Sequence, residues 1–117
     1  ESTLRRLSCL GPSKVVLTGV AFDGRQVGSA SYDRSTDEIS YALSDTVDGY
    51  FHGTGDVFAS ALLGAYLNGL SLAKSARIAV DYTHGCIVRT KEAGTDLRYG
   101  VDFEHGIPDL IRQTGII

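Results

Sequence analysis

The 117-residue sequence predicts a layered α/β fold in one domain. Three observations carry that expectation. Residues 14–44 alternate or run apolar at strand spacing, residues 55–93 switch to helical spacing, and no linker, repeat or low-complexity tract interrupts the chain. The expected order is a helix tail, a buried strand, a β-hairpin, then three helices.

Residues 2 to 10 read as a helix tail closed by Gly11-Pro12. "KVVLTGV" (14–20), with two adjacent valines, reads as a buried strand bounded by Pro12 and Asp23-Gly24. "QVGSASYD" (26–33) and "EISYALS" (38–44) flank the turn-like "RSTD" and predict an antiparallel hairpin with one exposed face; Tyr32 and Tyr41 are expected to form a cross-strand pair on the hairpin, the alternative being that one of them leans over a ligand. Residues 46–51 are extended or looped.

Residues 55 to 68 predict a helix with Val57, Phe58, Ala61, Leu62 and Ala65 on one face. Ala59, Leu63 and Tyr66 make much of the rest apolar, so this helix is expected to lie buried between layers. Ser71 caps a second helix that stops near Gly94, with Ser75 and Arg77 on its solvated surface; Gly85 weakens it and marks a close neighbour or a ligand edge. Residues 107–115, with Pro108 in the first turn, predict the last helix.

Composition narrows the function. A net charge of −3 gives no reason to expect nucleic acid or a membrane surface as a partner, and no apolar run approaches the roughly 20 residues that span a bilayer. The start lacks a signal peptide's apolar centre, so the cytoplasm is the default address. Cys9 and Cys86 read as reduced, half-buried small residues, and His52, His84 and His105 are too scattered for a zinc set; no metal site of protein ligands alone is expected. The opening in mid-helix suggests a piece of a longer protein.

The candidate chemistry lies in "GYFHGTGDVFASALLGAYLNG" (49–69). A helix N-terminus leaves backbone N–H groups unpaired and adds about half a positive charge, which together make an anion site. Gly53 and Gly55 let a phosphate approach the amides of residues 53 to 56, Thr54 adds a hydroxyl, and Asp56 sits in the first turn. An ionised aspartate there is suited to take a proton from an attacking alcohol while the amides stabilise the transferring group. The plainer alternative is that Thr54 caps the helix and Asp56 complements its dipole. GxxxxGK[ST] is absent, and Phe58 replaces the third glycine of GxGxxG, so neither the P-loop nor the dinucleotide fingerprint applies.

"GTGDVFASALLGAYLNG" resembles the C-terminal signature of ribokinase-like vitamin kinases. With "KVVLTGVAFD", "VGSASYDRSTDEISYAL", "SLAKSARIAVDYTHGCIVRT" and "RYGVDFE" in order, residues 12 to 112 are similar to the C-terminal part of bacterial pyridoxal (pyridoxine, pyridoxamine) kinases. The resemblance implies that residues 1–117 are the nucleotide-binding and catalytic-base segment of a ribokinase-like three-layer fold. It implies ATP-dependent phosphorylation of the 5′-hydroxymethyl group of a B6 vitamer, with Mg²⁺ and often a monovalent cation such as K⁺, in a homodimeric parent. Carried onto this sequence, Asp56 is the general base; Gly53, Thr54 and Gly55 form the anion hole; Thr18 and Gly19 line the phosphates; the hairpin and the segment around Val47 lie near the nucleotide; residues 83 to 87 pack beside the adenine. Cys86 is packing.

The family's N-terminal part, which carries most of the pyridine pocket, the lid and acidic residues near the metal, has no counterpart here. Negligible kinase activity is therefore expected of the chain alone. Hydroxymethylpyrimidine kinases share the fold, often with cysteine where this chain has Asp56, and superfamily sugar kinases commonly carry alanine at the Thr54 position; both are alternatives. A non-catalytic nucleotide-binding domain is another, and a partial chain with no function of its own is the last.

Overall fold

The computed structural model describes residues 1–49, 51–94 and 96–115. Along the chain run α1 (Ser2–Cys9), β1 (Lys14–Phe22), β2 (Gln26–Asp33), β3 (Glu38–Asp45), α2 (Thr54–Leu67), α3 (Leu72–Ala93), two 3₁₀ turns (Leu97–Tyr99 and Glu104–Gly106) and α4 (Ile107–Thr114). Tyr50, in the expected 46–51 loop, lies outside the described residues.

The strands form one antiparallel sheet in the order β1-β2-β3. Antiparallel partners share a face, so Val15, Ala30, Tyr32 and Ile39 fall on one side, where they pack with Leu4 of α1. Val16 and Ala42 fall on the other, in a core with Phe58 and Ala61 of α2 and Ala76, Ala79 and Val80 of α3. Burying a side chain such as Phe58 contributes about 1.5–3 kcal/mol.

This layering corrects two expectations about the strands. β1 is an edge strand, half-buried to exposed along its length, and not the buried strand its valines suggest. β2 is the central strand: residues 29 to 32 are buried, although a hairpin with one exposed face was expected. The reason is size. Ser29, Ala30 and Ser31 are small enough for helices to approach both faces of β2. Gly28 serves the neighbouring strand instead: a Cβ there would lie 1.9 Å from the Ala42 carbonyl oxygen of β3. Tyr32 and Tyr41 do not pair: Tyr32 opposes Ile39 and Tyr41 opposes Ala30. Tyr32 is buried, donates to Asp37 Oδ1 at 3.0 Å and lies beneath the Arg5 guanidinium, whereas exposed Tyr41 meets Phe22 edge-on.

The helices begin and end where the sequence places them, within a residue or two. Ser71 Oγ accepts from the Lys74 N–H at 3.1 Å, Gly94 closes α3 in the left-handed conformation, and Pro108 sits in the first turn of α4. α2 is not buried on every side: Phe58, Ala61 and Ala65 face the core, but Leu63 and Leu67 are 57% and 73% exposed. One side of α2 therefore has no cover among the described residues.

Ser75 also departs from expectation. It is fully buried between α3 and the sheet, and its Oγ has no partner among the described residues. Cys86 is buried packing, as expected, and burial pushes its thiol pKa up; Cys9 is exposed, not half-buried. No helix of the described residues is long and apolar enough to cross a membrane.

Candidate active site

Gly53 opens the site. Its φ of +85° belongs to the left-handed region, which a side chain would strain, and this turn sets the direction in which α2 departs. Gly53 is the N-cap and makes no side-chain cap hydrogen bond; its carbonyl accepts from the Val57 N–H at 3.0 Å. Thr54 is the first helical residue and does not cap the helix, so the plainer reading of the motif fails for Thr54. Among the described residues no side chain accepts from the first-turn amides of α2, which is the condition for anion binding.

Beside this helix start lies a cleft of about 430 Å³. Thr18 and Gly19 of β1, Val27 and Gly28 of β2, and Ser44 and Asp45 of β3 form one wall. Thr46, Val47, Gly49 and Phe51 form the rim, and Thr54, Gly55 and Phe58 of α2 form the floor. Val80, Thr83, His84 and Ile87 of α3 close the far side. The cleft therefore joins an apolar body to an uncapped helix N-terminus, a shape suited to a ligand with a flat apolar part and an anionic end. Among the described residues no Lys or Arg lines the cleft, and Asp45 and His84 are its titratable side chains.

Five of the seven predicted residues meet here: Thr18, Gly19, Val47, Thr54 and Gly55 all line the cleft. Gly53 and Asp56 flank it in the same turn without lining it. Asp56 is exposed in the first turn of α2, and among the described residues its carboxylate has no hydrogen-bond or ion-pair partner. Gly19 has φ +71° at the irregularity between Thr18 and Val20, which bends β1 where it meets the cleft. Gly55 differs from both other glycines in that its φ is not positive; as at those two positions, a Cβ there would meet nothing within 4 Å. Neither backbone conformation nor packing against the described residues accounts for glycine at position 55.

Sequence reasoning missed Phe51, Phe58 and Val80 as cleft walls, because apolar residues in a helix or loop read as core. The hairpin reaches the cleft through Val27, Gly28 and Ser44, as the resemblance implies, but Gly28 was not singled out because its role depends on the β2–β3 pairing. At Gly85 a Cβ would meet Arg89 Nη1 at 3.4 Å, an ordinary contact with the flexible end of a side chain on the same helix, so among the described residues no close neighbour explains this glycine.

Behind α3, away from the cleft, polar contacts pin residues 102 to 106. Asp102 N–H donates to Thr90 Oγ1 at 2.7 Å, Arg89 Nη2 donates to the Asp102 carbonyl at 3.1 Å, and Tyr82 Oη donates to the Phe103 carbonyl at 2.5 Å. Burial pushes the Tyr82 pKa up to about 12. A hydrogen bond from the His105 ring holds the Asp102 carboxyl below its ordinary range.

Mg²⁺ usually takes one or two carboxylates together with substrate phosphates, not a full protein cage. Asp45 in the wall and Asp56 at the helix start fit that demand in kind. Among the described residues no three His, Cys, Asp or Glu side chains converge on one point.

Solved structures similar to this chain are described as kinases. A Bacteroides thetaiotaomicron VPI-5482 protein described as a phosphomethylpyrimidine kinase matches with TM-score 0.86 and 26% identity, over 95% of this chain and 37% of its own. Another crystal form of that protein, obtained with pyridoxal, matches with TM-score 0.85 and 26% identity, over 93% and 39%. Pyridoxal kinase from Lactobacillus plantarum shares the fold, with TM-score 0.83 and 24% identity over 93% and 40%. The chain thus spans about two-fifths of the length of these relatives and matches part of a ribokinase-like kinase fold. No curated protein matches it. Residues 1–100 match the family model for phosphomethylpyrimidine kinase, and the chain belongs to that family.

Proposed function

We propose that this chain supplies the nucleotide cleft and the catalytic base of a kinase that transfers the γ-phosphoryl group of ATP to the hydroxymethyl group of a B6 vitamer. The observation that carries the proposal is the uncapped start of α2, where Gly55 leaves open space beside a cleft of nucleotide-compatible size. The apolar cleft takes the base and sugar, and the amides of the first turn of α2 receive the phosphates. Asp56, in the same turn, accepts the proton of the attacking hydroxyl. Mg²⁺, when bound, would neutralise charge on the phosphates, and Asp45 of the cleft wall is the carboxylate that would help hold it. The helix N-terminus stabilises charge on the group in transfer.

The threonine–aspartate pair at positions 54 and 56 favours a B6 vitamer over hydroxymethylpyrimidine or a sugar, given the residues those kinases commonly carry there. The Bacteroides relative obtained with pyridoxal points the same way. Because the chain spans about two-fifths of its relatives, little of it is left to hold the vitamin, and negligible turnover is expected from the chain alone.

Calorimetry of the 117-residue chain with MgATP and with pyridoxal tests the binding half: ATP is expected to bind and pyridoxal to bind weakly or not at all. Asp56→Asn in a chain completed to the relatives' length tests the chemistry. Loss of a removable base predicts a turnover drop of about 10²–10⁴-fold with ATP affinity retained. Unchanged turnover removes Asp56 from the mechanism.

A further inference from the structure

α3 carries a run of polar side chains whose hydrogen bonds can be followed one by one. Arg77 pairs with Asp81, Tyr82 donates to the Phe103 carbonyl, and Thr83 Oγ1 donates to the Ala79 carbonyl. Arg89 donates to the Asp102 carbonyl and Thr90 Oγ1 to the Cys86 carbonyl. Between residues 77 and 90 one polar side chain stands outside this pattern. The half-buried imidazole of His84 has no protein partner among the described residues.

Its position gives that fact a direction. Residues 68–71 connect α2 to α3, so α3 runs back alongside α2. Phe58 and Val80 share one core cluster. One helical turn from each, toward the start of α2, stand Thr54 and His84, which therefore lie at the same level. Both line the cleft, as do Phe58 and Val80. The Thr83 hydroxyl is committed to its own helix, which leaves the His84 ring as the uncommitted hydrogen-bonding side chain on the α3 wall. A polar ring partly withdrawn from water is most stable when a partner meets it, and the cleft's own lining offers none.

We infer that His84 is a ligand-binding residue: its ring hydrogen-bonds the nucleotide held in the cleft, supplying from α3 a polar contact that no Lys or Arg provides there. This rests on the nucleotide reading of the cleft. The contact can fall on the base and sugar or on a phosphate oxygen, and the ligand series below separates the two.

The test measures binding of MgATP and of adenosine to the 117-residue chain and to His84→Ala, His84→Phe and His84→Gln, with far-UV circular dichroism melts as a folding control. His84→Phe keeps a ring in the wall without a hydrogen bond, and His84→Gln keeps hydrogen-bonding groups without the ring. Loss of one such bond predicts MgATP affinity roughly three- to tenfold weaker in the Ala and Phe variants and largely retained in the Gln variant. A loss shared by adenosine places the bond at base or sugar; a loss seen with MgATP alone places it at phosphate. Equal affinity in wild type and His84→Phe overturns the inference and assigns the ring to packing. If the wild-type chain does not bind MgATP, the nucleotide reading itself fails.

Discussion

Replacing Gly55 with alanine separates a glycine kept for folding from one kept for a ligand. Three features set the expectation. Its φ is not positive, its Cβ would find no atom within 4 Å, and it lies inside α2. The substitution thus carries no steric penalty, and it removes the backbone freedom that glycine surrenders on folding. Alanine in an unstrained helical position stabilises by about 0.4–1 kcal/mol, and the first turn belongs at the lower end of that range. On the ligand side the sign reverses. Gly55 lines the cleft at the helix start, so a methyl group there occupies the space through which a phosphate reaches the first-turn amides. Losing one charge-assisted hydrogen bond of about 1.5–3 kcal/mol weakens binding roughly 10- to 150-fold. Urea unfolding followed by circular dichroism, which suits a chain without tryptophan, gives the first quantity, and calorimetry with MgATP gives the second. A variant that is slightly more stable and clearly weaker in binding is the expected result. Unchanged ATP affinity refutes the phosphate cradle, and a variant destabilised by more than about 1 kcal/mol refutes the claim that the space above Gly55 is free.

Gly28→Ala carries the opposite expectation, because its Cβ would lie 1.9 Å from the Ala42 carbonyl oxygen and 2.9 Å from Leu43 Cα, both backbone atoms that cannot rotate away. Overpacking at such a point costs about 1–3 kcal/mol or more, seen as a lower urea midpoint, and distorts the cleft wall to which Gly28 belongs. Acid sensitivity follows from three carboxyls held below their ordinary range: Asp33 by the Ser35 hydroxyl, Asp96 by Arg98 and Asp102 by His105. A depressed folded pKa contributes stability that is present above the unfolded value near 4 and lost as pH falls through the folded value, so urea midpoints should fall below about pH 4 and fall less steeply in Asp102→Asn.

The helices were legible because their signals are local. Ser71 before a periodic run, Gly94 after it and Pro108 at a first turn act within a few residues, and the structure uses each as the sequence suggests. The strands were legible as elements but not as layers. Apolarity singled out β1 as the buried strand, while the structure buries β2, whose serines and alanine are poor in hydrophobic signal but small enough to admit helices on both faces. Burial in a sheet depends on which strand lies in the middle, and strand order is not written in any one strand's composition. α2 failed in the same way, since an all-round apolar pattern reports what a helix could bury, not how many layers surround it.

The site divides along the same line. Gly53, Thr54, Gly55 and Asp56 stand in one turn, so their arrangement follows from local helix geometry and could be read directly. Thr18, Gly19 and Val47 came through family resemblance, and the structure brings them to the cleft from β1 and the loop after β3. His84 falls in the segment 83–87 that the resemblance set beside the adenine, but nothing in the sequence singled it out there: a lone histidine within a helix reads as surface or packing. Two tertiary facts distinguish it, the level it shares with Thr54 and the hydrogen bonds that its neighbours on α3 make elsewhere. A side chain whose neighbours are all committed, and which faces a cleft, is defined by exclusion. That kind of evidence exists only once every polar partner in the surrounding structure has been assigned.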